Sequence, residues 1–511
     1  MKFAVAALLA LLAAQLVWEA WGDSLTFDET RYVRAGACAW RTGTIDLEVS
    51  NPPAVKLLSG AGVDLAGVHT GGCAGDAAFY WVSPDDLRRL ILVARLPVIA
   101  LALLLGLLVF WWGSALYGAF AGVVALGLVA VEPTLLAHAH LATGDLALSL
   151  AFVAALAAHW RWRQSRRRRW LLICGLAVGF GLLSKVNALL LLPLLGAIEL
   201  VSSGGGVRHR LARLVGSGMI VAGCAWAAVC LVYLPFTQSH HDWGPPLAWV
   251  APPSWFASLL VPVGDRGSGH VNYLNGVIAP GNQPFPQYFL EALALKTTLG
   301  LLFLVAAAAL IAARRRDFIA LLYLWLPITV VVGSASLGAL DLGVRYVLPV
   351  YPLFALAAGS AAGALATQRL AVRVAVAGAL LAVAASSFAH GQDRIGYFNE
   401  LAGDRPERYL SDSNLDWGQD AWRLRDWWVA SGQPPLSTAY FGTLTLDHYG
   451  IEATPVQPAT EPVHGLLAVS LTRKTIIGDS QLPYAGRPYR FLEGRRLLAR
   501  IGSSIEVYDL G

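Results

Sequence analysis

LPVIALALLLGLLVFWW, residues 96–112, is a continuous apolar run, and LGLLFLVAAAALIAA at 299–313 and VRVAVAGALLAVAASSFA at 372–389 repeat its character. Each approaches or reaches the ~20 apolar residues that carry a helix across the hydrocarbon core of a bilayer, and each gives way to a polar break. Core helices of a large soluble protein would be shorter and would keep a polar face. Composition agrees. Over 511 residues, 56% are hydrophobic and 14% charged, against roughly 45–50% and 25% in soluble proteins. A soluble fold cannot hide so much apolar surface, so the chain reads as a mainly α, polytopic membrane protein.

Counting outward from these runs gives eleven expected spans, near 2–19, 89–111, 115–132, 144–162, 170–185, 187–202, 211–234, 292–313, 318–335, 346–366 and 372–389. Basic residues orient them. Arg161, Arg163 and Arg166 to Arg169 crowd one connection; Arg208, Arg210 and Arg213, then Arg314 to Arg316, then Arg369 and Arg373 mark every second one thereafter. The positive-inside rule puts these in the cytoplasm with Lys2, and an odd span count puts the tail 390–511 outside. The chain thus divides into a membrane domain, 1–389, with outer loops 20–88, 133–143, 235–291 and 336–345, and a tail domain. In the tail, His464 to Leu471 and Ser503 to Leu510 read as strands and Trp417 to Ala430 as a helix, which predicts a small α/β domain. Lys2 followed by an Ala/Leu run also has the form of a cleaved signal. An anchor is the preferred reading, because Trp18 and Trp21 form an interfacial belt at the outer end of the run.

Cytoplasmic connections are too short to fold, so the chemistry belongs to the outer face. Cys38 and Cys73 both fall in the first outer loop, an oxidising compartment where a bridge would staple a long loop; two free thiols are the alternative. The same loop carries the acidic pair Asp28-Glu29 just beyond the first span. A carboxylate held at the membrane boundary can take a proton from an acceptor hydroxyl; equally, Asp28 can cap the helix that begins at Glu29. Asn51-Pro52-Pro53 fixes an extended backbone before Lys56. In the second loop His138, His140 and Asp145 make a weak metal pattern, since positions i and i+2 do not share a helix face. Asp145 stands at the mouth of an apolar span, where an acid is costly without a task or a partner.

Cations at the outer boundary complete the set. Lys185 closes the fifth span, Lys296 lies near the outer end of the eighth, and Asp341 and Arg345 flank the turn before the tenth, with Tyr346 next in line. A departing phosphate needs such cations, and arginine offers it a planar fork. Snorkelling to lipid head groups is the alternative for the lysines, and an internal salt bridge with Asp341 for Arg345. In the tail, Asp416 with Gln419 three residues on has the form of a helix cap.

Taken in order, Asp28-Glu29, NPPAVKLL at 51–58, EPTLLAHAHLATGDLALS at 132–149, GLLSKVNALLLLP at 181–193, LALKTTLGLL at 293–302 and GVRYVLPVYP at 343–352 resemble bacterial glycosyltransferases of family 39. These are relatives of the protein O-mannosyltransferases and of the lipid A aminoarabinose transferase, with the GT-C fold. YFNELAG at 397–403 and YLSDSNLDWGQD at 409–420 look like a hallmark of one bacterial branch. The resemblance implies a multi-pass enzyme of the bacterial inner membrane that takes a sugar from a polyprenyl-phosphate donor, with inversion. It makes Asp28 the base, Glu29 the second acid, Asp145 the second-loop acid and Arg345 a phosphate ligand; Lys56, Lys185 and Lys296 are further candidates for donor-phosphate contacts. Relatives often carry a basic residue where this chain has Asn51, and Thr where it has Gly144.

Inversion puts the base on one face of the sugar and the leaving phosphate on the other, so Asp28 and the Arg345/Lys cluster are expected to face each other across a cavity. The expected partners are the lipid-linked donor, an acceptor that is protein, lipid or glycan, and membrane lipids, with no nucleic acid. No cofactor or metal is required by this scheme, although it leaves a divalent ion open. A transporter or lipid flippase is the alternative, and would show two related halves with half-broken helices and charges near the midplane.

Overall fold

The computed structural model describes residues 1–68, 72–73, 83–238, 247–264, 271–280, 283–338, 340–456, 463–476 and 489–511. Helices stand at every expected span: α1 (Lys2–Gly22), then, after two helices of the first loop, α2 (Glu29–Thr42) and α3 (Ala54–Leu65), α4 (Pro84–Tyr117), α5 (Ala119–Val131), α6 (Pro133–Ala139), α7 (Gly144–Ser165), α8 (Arg169–Ser184), α9 (Leu191–Ser202) and α10 (Val207–Tyr233). Beyond them come Tyr288–Lys296, Leu299–Arg315, Leu326–Ser336, Val350–Leu365 and Leu370–Ala389. Five helices are long and apolar enough to cross a bilayer, or seven if each of two bent pairs counts as one span. The count of eleven is not reached by that measure among the described residues. Three of the remaining apolar helices have only 10–17 residues, short of the ~20 that a straight crossing needs.

The eighth expected span, 292–313, is two helices rather than one. Tyr288–Lys296 and Leu299–Arg315 meet at 116°. The break is built by distant polar partners: the Thr298 hydroxyl donates to Glu132 at 2.8 Å, and the Asn399 side-chain amide donates to the carbonyls of Ala294 and Thr297 at 2.6 and 2.7 Å. Helices α5 and α6 meet at 66°, because Pro133 opens α6 and cannot continue the hydrogen bonding of the preceding turn.

The tail holds a five-stranded mixed sheet in the order β4-β3-β5-β7-β6, with β3 at Leu436–Ala439, β4 at Ala453–Pro455, β5 at Leu466–Ser470, β6 at Arg496–Ile501 and β7 at Ile505–Asp509. A short hairpin of β1 (Val271–Leu274) and β2 (Val277–Pro280) precedes it in the chain. The expected tail helix begins later than 417, at Ala421–Ala430. No capping box starts it: Asp416 accepts instead from the backbone of Gly418 and, at 3.0 Å, of Thr472, which ties the turn to the end of β5.

Of four apolar clusters among the described residues, the two larger ones organise the fold. One fills the helix bundle. The other joins Trp422, Leu424, Ala468 and Val507 of the tail to Val33 of α2, Val63 of α3 and Leu87, Leu90 and Ile91 of α4. Buried ion pairs reinforce the junction, with Arg394 on Glu19 and Arg423 on Asp23 at 2.8 Å. The tail therefore sits on the bundle at the end where α1 finishes. The arginine-rich connections occupy the opposite end, where Arg163 of α7 pairs with Glu199 of α9 at 2.6 Å.

Candidate functional site

Asp28 is the last residue before α2, yet its carboxylate makes no capping hydrogen bond. It turns away from the helix to accept from Arg345 Nη1 at 2.7 Å, a pair 24% and 10% exposed. The alternative considered for Arg345, a salt bridge with Asp341, does not form. Asp341 accepts from the Phe285 backbone at 2.7 Å, and burial raises its carboxyl to about 6.

Arg345 stands on a single 3-10 turn, Val344–Val347, entered through Gly343 at φ +110°. A Cβ at Gly343 would lie 2.3 Å from Ser413 Oγ, so only glycine lets the tail approach this closely. The guanidinium rests on the Trp417 ring at 4.1 Å and faces the Tyr346 ring at 5.5 Å. Burial opposes its charge, but Asp28 first, then Tyr346 and Asp145, hold it firmly protonated. Its Nη2 has no hydrogen-bond acceptor among the described residues.

A second ion pair also meets the Tyr346 ring. Lys185, at the end of α8, pairs with Asp145 of α7 and stands 4.2 Å from the Tyr346 ring centre. Thr143 also donates to Asp145, at 3.1 Å. The departure at Gly144 has a packing cause: a Cβ there would come within 2.4 Å of the Ser184 carbonyl, so glycine lets the start of α7 meet the end of α8. Asp28, Arg345, Tyr346, Lys185 and Asp145 thus form one continuous row. The carboxylates neutralise the cations directly; Asp28 and Arg345 do not face each other across a cavity, because nothing else satisfies these partly buried charges.

The remaining candidates are engaged elsewhere. Glu29 is fully buried, clasped by Arg95 at 2.7 and 2.9 Å and by the backbone of Thr26 and Ala142. Burial alone would raise its carboxyl, but Arg95 and those donors hold it below its ordinary value. It is a structural anchor, with no lone pair turned toward the row. Lys56 is bound to Glu48 at 2.9 Å and to the Asn51 carbonyl at 2.6 Å, and the Asn51 amide donates to Tyr32 at 2.7 Å. Lys296 donates to the carbonyls of Ile395 and Asn414 at 2.8 and 2.5 Å, which makes it a tie to the tail rather than a phosphate ligand.

His140 is directed at Asp23 and Glu19, at 3.1 and 3.2 Å. His138 packs edge-on to Trp417 and its Nδ1 has no hydrogen-bond partner among the described residues. The two histidines do not converge with Asp145, and no group of three or more metal-ligating side chains occurs among the described residues. Cys38 and Cys73 are joined in a disulfide that pins α2 to the far part of the loop.

Two residues of the site stand outside the sequence expectations. Arg95 lies mid-helix in apolar α4, and a lone charge in such a run was itself a signal. Trp417 lies within the tail hallmark, where nothing in the spacing pointed to Arg345. Beside the row, a cavity of about 370 Å³ is lined by Leu189, Leu190, Leu259, Phe289, Leu340 and Tyr346, among others.

The multi-pass helical bundle with paired charges at one end, beneath a small mixed-sheet domain, shares the GT-C membrane fold of the solved structures it is similar to. The family model described as dolichyl-phosphate-mannose-protein mannosyltransferase matches residues 88–236, a stretch running from α4 through α10. Among solved structures, ArnT from Cupriavidus metallidurans in the apo state is 15% identical with a TM-score of 0.50, over 98% of this chain and 97% of that one. ArnT from the same organism bound to undecaprenyl phosphate is 14% identical with a TM-score of 0.50 and the same coverage. The Saccharomyces cerevisiae (S. cerevisiae) Pmt1-Pmt2 protein O-mannosyltransferase complex bound to the sugar donor is 19% identical over 46% of this chain and 33% of that one, with a TM-score of 0.36. No curated protein sequence matches.

Proposed function

We propose that this chain is a membrane glycosyltransferase that moves a sugar from a polyprenyl-phosphate donor to an acceptor at the tail end of the bundle, outside the plasma membrane. The observation that carries the reading is the cavity. Its walls are mostly apolar, as an isoprenoid chain requires, with Asn187 and Ser334 the polar members, and one of the walls is Tyr346, the ring against which Lys185 and Arg345 both stand. A lipid with a phosphate head matches that combination of greasy groove and converging cations.

The chemistry follows from the row of charges. Donor phosphate, a diester whose single negative charge is shared over two free oxygens, takes the place of Asp28 on Arg345 by engaging both Nη1 and the unused Nη2 donor. Asp28 is then free to accept the proton of the acceptor hydroxyl. The hydroxyl oxygen forms the new bond to the anomeric carbon while the bond from that carbon to the phosphate oxygen breaks. The electron pair leaves with the polyprenyl phosphate, where Arg345 and Lys185 neutralise it, so the leaving group needs no proton. Attack opposite the leaving group inverts the anomeric centre. ArnT bound to undecaprenyl phosphate is consistent with such a donor here.

The test is equilibrium binding of a polyprenyl monophosphate to the full chain in nanodiscs. Saturable binding that Arg345→Ala weakens is expected; no binding, or binding indifferent to Arg345, overturns the reading.

A further inference from the structure

Two chain segments that carry the site, and the helix Tyr288–Lys296 beside them, are held by one short loop of the tail. The carbonyls of Trp417 and Gln419 accept from the backbone N–H groups of Phe27 and Ser24, each at 2.9 Å, and Ser24 Oγ accepts from Trp422 N at 2.8 Å, which fixes the segment leading into Asp28. Asn414 Oδ1 accepts from Val344 N at 2.9 Å and Ser413 Oγ donates to the Leu342 carbonyl, which fixes the turn bearing Arg345. The Asn414 carbonyl takes Lys296 at 2.5 Å, and its amide donates to Tyr288 at 2.8 Å. The loop is rigid in its own right, since Gln419 bonds the Trp417 N–H at 2.7 Å and the Leu415 carbonyl at 2.9 Å.

From this geometry we infer that the tail loop Ser413–Gln419 is the template that sets Asp28 against Arg345, and that Trp417 is a positioning residue for Arg345 during turnover. The inference rests on the transferase reading above. Its force comes from what holds Arg345 once donor phosphate displaces Asp28. Among the described residues the only other polar contact of the guanidinium is a long one, Nε to the Leu342 carbonyl at 3.4 Å. The face of Trp417, 2% exposed and 4.1 Å away, then carries the orientation. The tail is accordingly part of the catalytic site, and the stretch YLSDSNLDWGQD is the part of it that reaches the chemistry.

A cation over a desolvated indole is worth roughly 10- to 30-fold in a binding constant. Trp417→Leu keeps an apolar side chain but removes the ring face; Trp417→Phe keeps a ring. The experiment measures affinity of the full chain in nanodiscs for a polyprenyl monophosphate, alongside thermal stability, in wild type, both Trp417 variants, Arg345→Ala and the Trp417→Leu/Arg345→Ala double variant.

Expected is a loss of about 10- to 30-fold for Trp417→Leu, most of it restored in Trp417→Phe, and no further loss when Trp417→Leu is added to Arg345→Ala. The double-variant comparison separates positioning from mere folding, because a folding defect adds to Arg345→Ala whereas a positioning effect vanishes with the group positioned. Unchanged affinity in Trp417→Leu, an equal loss in Trp417→Phe, or additivity in the double variant overturns the proposal. Failure of wild type to bind the lipid phosphate overturns the transferase reading, and this proposal with it.

Discussion

Replacing Asp28 with asparagine should separate donor binding from catalysis in opposite directions. In the structure Asp28 competes for Arg345, which it holds at 2.7 Å in a pair only 24% and 10% exposed. Donor phosphate must break that pair. Part-exposed ion pairs of this kind are worth about 1 kcal/mol net, so removing the carboxylate charge should tighten polyprenyl phosphate binding by roughly fivefold. Asparagine cannot accept a proton, and transfer should fall by roughly 10²–10⁴-fold, the usual contribution of a general base. The assay pairs lipid-phosphate titration in nanodiscs with single-turnover transfer from a labelled donor. Weaker donor binding in Asp28→Asn would refute the competition between carboxylate and phosphate. Near-normal transfer would refute the base, and would direct attention to Asp145, because Glu29 is occupied by Arg95 on both oxygens.

Arg345→Ala should weaken donor binding and turnover together, since the phosphate loses a charge-assisted contact in both ground and transition states; Arg345→Lys should restore only part, as a point charge without the fork and without its stacking on Trp417, which a comparison of KM and kcat would reveal. Glu29→Gln should act on stability rather than chemistry: it leaves the Arg95 guanidinium buried without its charge partner, at a cost of about 3–5 kcal/mol, read as lost yield and a lower melting temperature, with kcat unchanged per folded molecule. Burial raises the Asp416 carboxyl from 3.8 to about 7. Below pH 4 both states are protonated; between 4 and 7 the folded state alone holds the proton, so the tail loses stability as pH rises through that window and levels off above it. Hydrogen exchange at Thr472 should show that slope, and Asp416→Asn should flatten it.

The bundle was legible because the length of an apolar run is a local property that the bilayer imposes directly. The strands at Leu466–Ser470 and Ile505–Asp509 were legible for a similar reason, as short runs rich in apolar residues bounded by glycine and serine, and both are buried nearly throughout. The bends were not. Glu132 and Asn399, remote in sequence from Thr298, decide where the eighth span breaks. At the site, residue types and the boundary location of Asp28, Asp145, Lys185 and Arg345 could be read, but partners could not. Arg345 had an acid four residues away and chose one 317 residues away. Lys56 and Lys296 resembled phosphate ligands by position, and only the fold shows their ammonium groups spent on Glu48 and on backbone carbonyls. Trp417 was invisible as a site residue, because stacking on a guanidinium leaves no spacing signature.

The most direct test supplies the purified chain, in sealed vesicles containing a polyprenyl-phosphate sugar labelled in the sugar, with a membrane extract as source of acceptor. The account predicts that label leaves the lipid phosphate and becomes covalently attached to an acceptor with inverted anomeric configuration, in wild type and not in Asp28→Asn. Label that stays on the polyprenyl phosphate and only changes leaflet, equally in wild type and Asp28→Asn, would contradict it.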